Sequence, residues 1–276
     1  MREISTEQLA QGVERGSCSV FDARPVDAYN GWVLGGEKRG GHIRGARTLP
    51  AAWTGQEQWE RFAAEKGARS DRPLVVYGYN RDDAGEVAER FLIAGYRRVS
   101  LYTRFVEQWA ADDTLLMDRM ARFQTLVHPD WVRQLAAGER PVGFEGTRCV
   151  ICHSHYRNRA DYEIGHIPGA IALDTELLES PETWNRRSPA QLERALTDLG
   201  ITAETTVVVY GRFSSPRNSD PHPGSAAGHL GSIRCAVLMK YAGVRDVRVL
   251  NGSIAAWGQA GYPLSTDDVR PEPVPA

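Results

Sequence analysis

One ordered set of motifs occurs twice in this chain, and that repeat restricts the fold more than any other feature. Gly41-His42-Ile43-Arg44-Gly45-Ala46 is followed by Leu74-Val75-Val76-Tyr77-Gly78, then Ala94-Gly95, then Trp109. Gly165-His166-Ile167-Pro168-Gly169-Ala170 is followed by Val207-Val208-Val209-Tyr210-Gly211, then Ala242-Gly243, then Trp257. The tryptophan lies 14 residues beyond the Ala-Gly glycine in both copies. Fixed order at fixed spacing means a duplicated folding unit. The expected domains are residues 1–122 and 123–264, with a proline-rich tail or linker at 265–276.

The 276 residues suffice for two domains of ordinary size. An apolar share of 42% and a charged share of 25% are those of a soluble globular protein. With 33 basic and 35 acidic residues the net charge is −2, which gives no electrostatic case for nucleic acid or an anionic membrane. Four cysteines in this length suit reduced thiols better than a disulfide framework. Met1-Arg2-Glu3-Ile4-Ser5 does not open a secretory signal, and no apolar run is long enough to span a bilayer. A cytoplasmic protein is expected.

Each copy opens on a capped helix, at Ser5-Thr6-Glu7-Gln8 and at His128-Pro129-Asp130-Trp131. Strands are expected at Ser19 to Asp22, Leu74 to Tyr77 and Arg98 to Tyr102, and again at Cys149 to Cys152, Thr206 to Tyr210 and Val247 to Leu250. Unbroken β-branched and apolar runs suit strands covered on both faces of a parallel sheet. Helices are expected over Glu86 to Ile93 and Ile233 to Tyr241. Strand alternating with helix implies α/β domains, each a mostly parallel sheet flanked by helices.

These residues resemble the rhodanese family of sulfurtransferases in tandem form. Asp22-Ala23-Arg24, Tyr29, the two Gly-His-Ile-x-Gly-Ala segments and the two tryptophans carry the likeness, which covers nearly the whole chain. The resemblance implies a cysteine directly after the central strand of an active domain, opening a loop of backbone amides that feeds a helix N-terminus. Such amides and the helix dipole lower the thiol pKa and hold the charge of a persulfide. Gly78 and Gly211 occupy those two positions, and glycine supplies no nucleophile.

The copies then diverge. Gly78 lies 17 residues before Gly95, as the family loop and helix require, and Tyr79-Asn80-Arg81-Asp82-Asp83 is expected to complete that loop with two charges that oppose an anion. Gly211 lies 32 residues before Gly243, so copy two carries an inserted polar loop over residues 212–229. With Gly211, the side chains of Arg212, Arg217, His222, His229 and Arg234 form a candidate anion-binding loop. A solvated surface insertion is the alternative, and the sequence leaves both open. Copy two also lacks Asp-x-Arg after its first strand, where Cys152-His153-Ser154-His155 stands instead.

Cys149-Val150-Ile151-Cys152-His153 matches a haem-attachment string, but a buried strand is the wrong context for it. Cys152, His153, His155 and His166 lack the paired spacing of a zinc site, and the resemblance implies a structural role for the Gly-His-Ile histidine. No metal or cofactor is expected. Cys235, inside an apolar helical run, reads as a packed thiol.

Three functions follow. The leading expectation is a tandem rhodanese-like protein lacking the catalytic cysteine in both domains. It resembles the first two domains of bacterial three-domain sulfurtransferases, so it would be the N-terminal part of a longer enzyme with a structural, regulatory or partner-binding role. A missing C-terminal rhodanese domain or a sulfur-relay protein would be its partner. The second is an enzyme of another class that binds a small anion at 211–234, with His222 or His229 as base. The third places sulfur on Cys235 or Cys152.

Overall fold

The computed structural model describes residues 1–212 and 227–275, with the side chains of 227–229 outside the description. The chain divides into two compact units, Met1–Phe123 and Gln124–Ala276.

In the first unit the strands are β1 (Arg2–Glu3), β2 (Ser19–Asp22), β3 (His42–Ile43), β4 (Arg47–Thr48), β5 (Leu74–Tyr77), β6 (Val99–Tyr102) and β7 (Met117–Asp118). Five of them form an all-parallel sheet in the order β1-β6-β5-β2-β4, while β3 and β7 pair separately and antiparallel. Its helices are α1 (Thr6–Glu14), α2 (Val26–Asn30), α3 (Trp59–Glu65) and α4 (Arg81–Ile93). Ser5 and Gln8 make the expected capping box at α1. Along β5, Leu74 and Val76 enter one core with Trp59 and Phe91. Val75 and Tyr77 enter a second core with Leu9 and Trp109. Side chains alternate across a strand, so a strand apolar throughout needs cover on both faces.

The second unit repeats this plan. Its strands are β8 (Leu126–Val127), β9 (Cys149–His155), β10 (Ile171–Asp174), β11 (Thr206–Gly211) and β12 (Asp246–Leu250). They form a parallel sheet in the order β8-β12-β11-β9-β10, the same arrangement as the first sheet. The helices are α5 (Pro129–Ala136), α6 (Ala160–Glu163), α7 (Pro189–Asp198), α8 (Ala227–Tyr241) and α9 (Ser253–Gln259). Both units are α/β, as the strand and helix alternation implies.

Three element ends differ from expectation. Helix α4 starts at Arg81, because the Asn80 side chain accepts the Asp83 N–H at 2.8 Å and caps it. Residues 81–83 are therefore a helical turn, and only Tyr79 and Asn80 remain as loop. Strand β11 runs through Gly211, which pairs with Ser154 of an equally extended β9. Helix α8 begins at Ala227, so the last three residues of the expected 212–229 loop are helical.

Candidate functional site

The strand ends that carry Gly78 and Gly211 have the same framework. Tyr77 pairs with Asp22 across β5 and β2, and Tyr210 with His153 across β11 and β9. The Tyr77 hydroxyl receives the Ile43 N–H at 3.2 Å, and the Tyr210 hydroxyl receives the Ile167 N–H at 2.8 Å. His42 stacks on Tyr29 with ring centres 3.7 Å apart, and His166 stacks on Tyr162 at 3.8 Å. Each histidine Nδ1 lies within hydrogen-bond distance of the carbonyl of its tyrosine. The Gly-His-Ile histidines are thus pieces of scaffold.

In the first unit this scaffold encloses an ion pair. Arg24 is fully buried and donates to both Asp22 carboxylate oxygens, at 3.0 and 2.7 Å. It also reaches the Gly41 carbonyl at 2.6 Å and Glu37 at 3.4 Å. Burial opposes the Arg24 charge, but Asp22 together with Tyr77 and Tyr79 holds the guanidinium above its ordinary pKa. The Tyr77 hydroxyl donates to Asp22 and the Tyr79 hydroxyl to Glu37, both at 2.6 Å.

Gly78 sits tightly against the first turn of α4. A Cβ there would meet the Asp83 Cβ at 3.1 Å and the Ala84 backbone nitrogen at 3.2 Å. The early start of α4 brings its first turn against the strand end. Asp82 and Asp83 lie in that turn, so an anion would face two carboxylates.

The second unit keeps the cage and exchanges its charges. His153 stands at the Asp22 position and His155 at the Arg24 position. The arginine comes instead from the end of β11: Arg212 donates to the Gly165 carbonyl at 2.7 Å and the Asp161 carbonyl at 3.3 Å. Gly165 is the counterpart of Gly41, so Arg212 makes the carbonyl contact that Arg24 makes in the first unit. Neither ring nitrogen of the buried His153 has a partner among the described residues. Burial first, then the charge of Arg212, lowers its pKa to about 3. The Gly211 N–H donates to the Ser253 hydroxyl at 2.9 Å and so points inward.

Of the other sequence candidates, Arg234 pairs with Glu179 and donates to the Trp184 carbonyl at 3.0 Å. Arg217 and His222 lie outside the described residues, as does the side chain of His229, whose backbone is in the first turn of α8. The structure therefore brings Gly211 and Arg212 together and ties Arg234 to a separate contact. Cys152 and Cys235 are buried in the same core cluster. Burial pushes the Cys152 thiol up to about 12 and raises Cys235 as well, the opposite of an activated thiol. Among the described residues, no group of three or more His, Cys, Asp or Glu side chains is placed to hold a metal, and no helix is long and apolar enough to cross a membrane.

Sequence reading missed the roles of Arg212, His153 and Ser253. The available signal was the loss of Asp-x-Arg in copy two together with an arginine, in place of Tyr79, directly after the strand glycine.

Two parallel α/β sheets with matching strand-end cages define a duplicated domain of one class. The sequence model of the rhodanese-like domain matches residues 5–112 and 156–260, and the chain belongs to the rhodanese-like family. Thiosulfate sulfurtransferase YnjE of Escherichia coli strain K12 is 31% identical over 266 residues, covering 95% of this chain and 55% of that protein. Sulfur carrier protein TtuD of Thermus thermophilus is 28% identical over 145 residues, 52% of this chain and 43% of that protein. Among solved structures, the anaerobic ergothioneine biosynthesis enzyme from Chlorobium limicola, in complex with trimethyl histidine, is 47% identical with a TM-score of 0.95. That match covers 99% of this chain and 64% of that one. A structure of EanB with ergothioneine covalently linked to a persulfide cysteine has a TM-score of 0.96 at the same identity and coverage. The chain thus spans 55% of YnjE and 64% of the enzyme of solved structure.

Proposed function

We propose that this chain is the non-catalytic, N-terminal two-domain part of a longer rhodanese-like sulfurtransferase, where it serves as a structural and docking base. The carrying observation is that glycine stands at the end of the central strand in both units. Gly78 is crowded by α4, Gly211 is turned toward Ser253, and the thiols nearest the second site are buried and raised. The relatives support the same reading, since the persulfide cysteine of EanB is numbered beyond the 276 residues of this chain. A further rhodanese-like domain of the same polypeptide is the proposed partner. Helix α8 offers a surface for it, with Leu230, Ile233, Val237 and Tyr241 exposed along its length. The greater identity to the ergothioneine enzyme makes a trimethylated histidine the proposed sulfur acceptor of the whole protein.

Two measurements test this reading. Thiosulfate treatment of residues 1–276 should leave the intact mass unchanged, whereas gain of one sulfur atom would overturn it. Sequencing beyond codon 276 should reveal a third rhodanese-like domain with a cysteine after its central strand, and a stop codon there would also overturn it. Ergothioneine formation by the longer polypeptide supports the acceptor, and a persulfide that never passes to trimethyl histidine removes it.

A second reading rests on Arg212, whose partners among the described residues are the carbonyls of Asp161 and Gly165. A cation with no carboxylate partner among the described residues suits a small anion at this strand end. Saturable thiosulfate-induced NMR shifts at Gly211 and Arg212 support it, and their absence removes it.

A further inference from the structure

We infer that the first unit binds a small oxyanion-bearing molecule in a cavity beside the edge of its sheet, away from the Gly78 strand end. The cavity has a volume of about 580 Å³, within the range of small-molecule sites. Strand β4 pairs only with Phe21 and Asp22, so Ser19 and Val20 of β2 are left as a wall. Arg47, Lys66 and Arg72 supply the charge of the lining.

Their pairing shows what is missing. Arg72 donates to the Gly16 carbonyl. Arg47 and Lys66 have no carboxylate within ion-pair distance among the described residues. Glu65 is the only carboxylate of the lining, and it lies 3.6 Å from Arg61. Lys66 is held below its usual ammonium pKa by burial and then by the charge of Arg47, so the two cations act on each other across the cavity. Thr48 also lines the cavity, and its hydroxyl is buried without a hydrogen-bond partner among the described residues.

Two repelling cations on one cavity have a remedy: an anion with several acceptor oxygens. Phosphate and sulfur oxyanion groups both supply this, and each would accept charge-assisted hydrogen bonds from Arg47 and Lys66. The site uses no cysteine chemistry and stands independently of the sulfur-transfer reading.

The test is an NMR titration of the 276-residue chain at low salt with inorganic phosphate and, separately, with thiosulfate. The expected result is saturable shifts at residues 18–20, 47–48 and 66–67. The R47Q/K66Q double variant should weaken binding by at least about tenfold, with thermal unfolding unchanged. Thr48→Val, which keeps both charges, should weaken it less. Tighter binding of thiosulfate assigns a sulfur oxyanion, tighter binding of phosphate assigns a phosphorylated ligand, and equal binding supports the shared oxyanion chemistry. No saturable shift with either probe, shifts confined to other residues, or unaltered affinity in both variants would overturn the proposal.

Discussion

Arg24 is wholly buried and meets two carboxylates, whereas Arg212 reaches the equivalent glycine carbonyl with two histidines where the ion pair would be. The two cages should therefore fail in different ways. Asp22→Ala leaves the Arg24 charge buried with a weakened partner set, so it should destabilise the first unit by about 3–5 kcal/mol in urea unfolding. In the second unit the sensitive step is protonation. The His153 pKa is lowered from 6.5 to about 3, so the imidazole is neutral when folded. Above pH 6.5 both folded and unfolded states are neutral and stability is unaffected. As pH falls below that value the unfolded chain takes the proton first. Folding then loses up to about 1.4 kcal/mol per pH unit. The unfolding midpoint should fall between neutral and mildly acid pH, and His153→Phe, which keeps an aromatic ring against Tyr162 and Tyr210, should reduce that slope. Equal slopes in the two proteins would show that His153 is not the titrating group.

At the scale of elements, α4 decides the state of the first site. Its start depends on Asn80, so Asn80→Ala should cost about 1 kcal/mol as read by a denaturant midpoint. The same early start crowds Gly78. Gly78→Cys places a Cβ 3.1 Å from that of Asp83 and needs movement of the helix. It should destabilise the unit by roughly 1–3 kcal/mol and acquire no stable persulfide, checked by urea unfolding and by intact mass after thiosulfate. Apolar periodicity gave the later part of this helix and missed its first turn, because Arg81, Asp82 and Asp83 are all polar. The cap at Asn80 was the legible sign. In copy two the start was again expected too late, at Ile233 rather than Ala227: α8 is apolar on its outer face as well, so its start could not be placed by periodicity.

For the whole molecule, duplication is the dominant fact. Both units build the same five-stranded order and the same tyrosine–histidine stack. In a longer protein the persulfide should form only on a domain that retains the cysteine. Peptide mapping after thiosulfate should find it there and on no peptide from residues 1–276, and a persulfide at Cys152 or Cys235 would refute this. The repeat, the parallel α/β class and the family were all readable from residue order, because motif spacing and strand-length apolar runs are local properties of a chain. The state of the strand ends was not. Whether Gly78 has room for a side chain, where the Gly211 amide points, and which arginine closes each cage depend on how segments distant in sequence meet. The Arg24 and Arg212 contacts to Gly41 and Gly165 span 17 and 47 residues, and packing alone brings those atoms together.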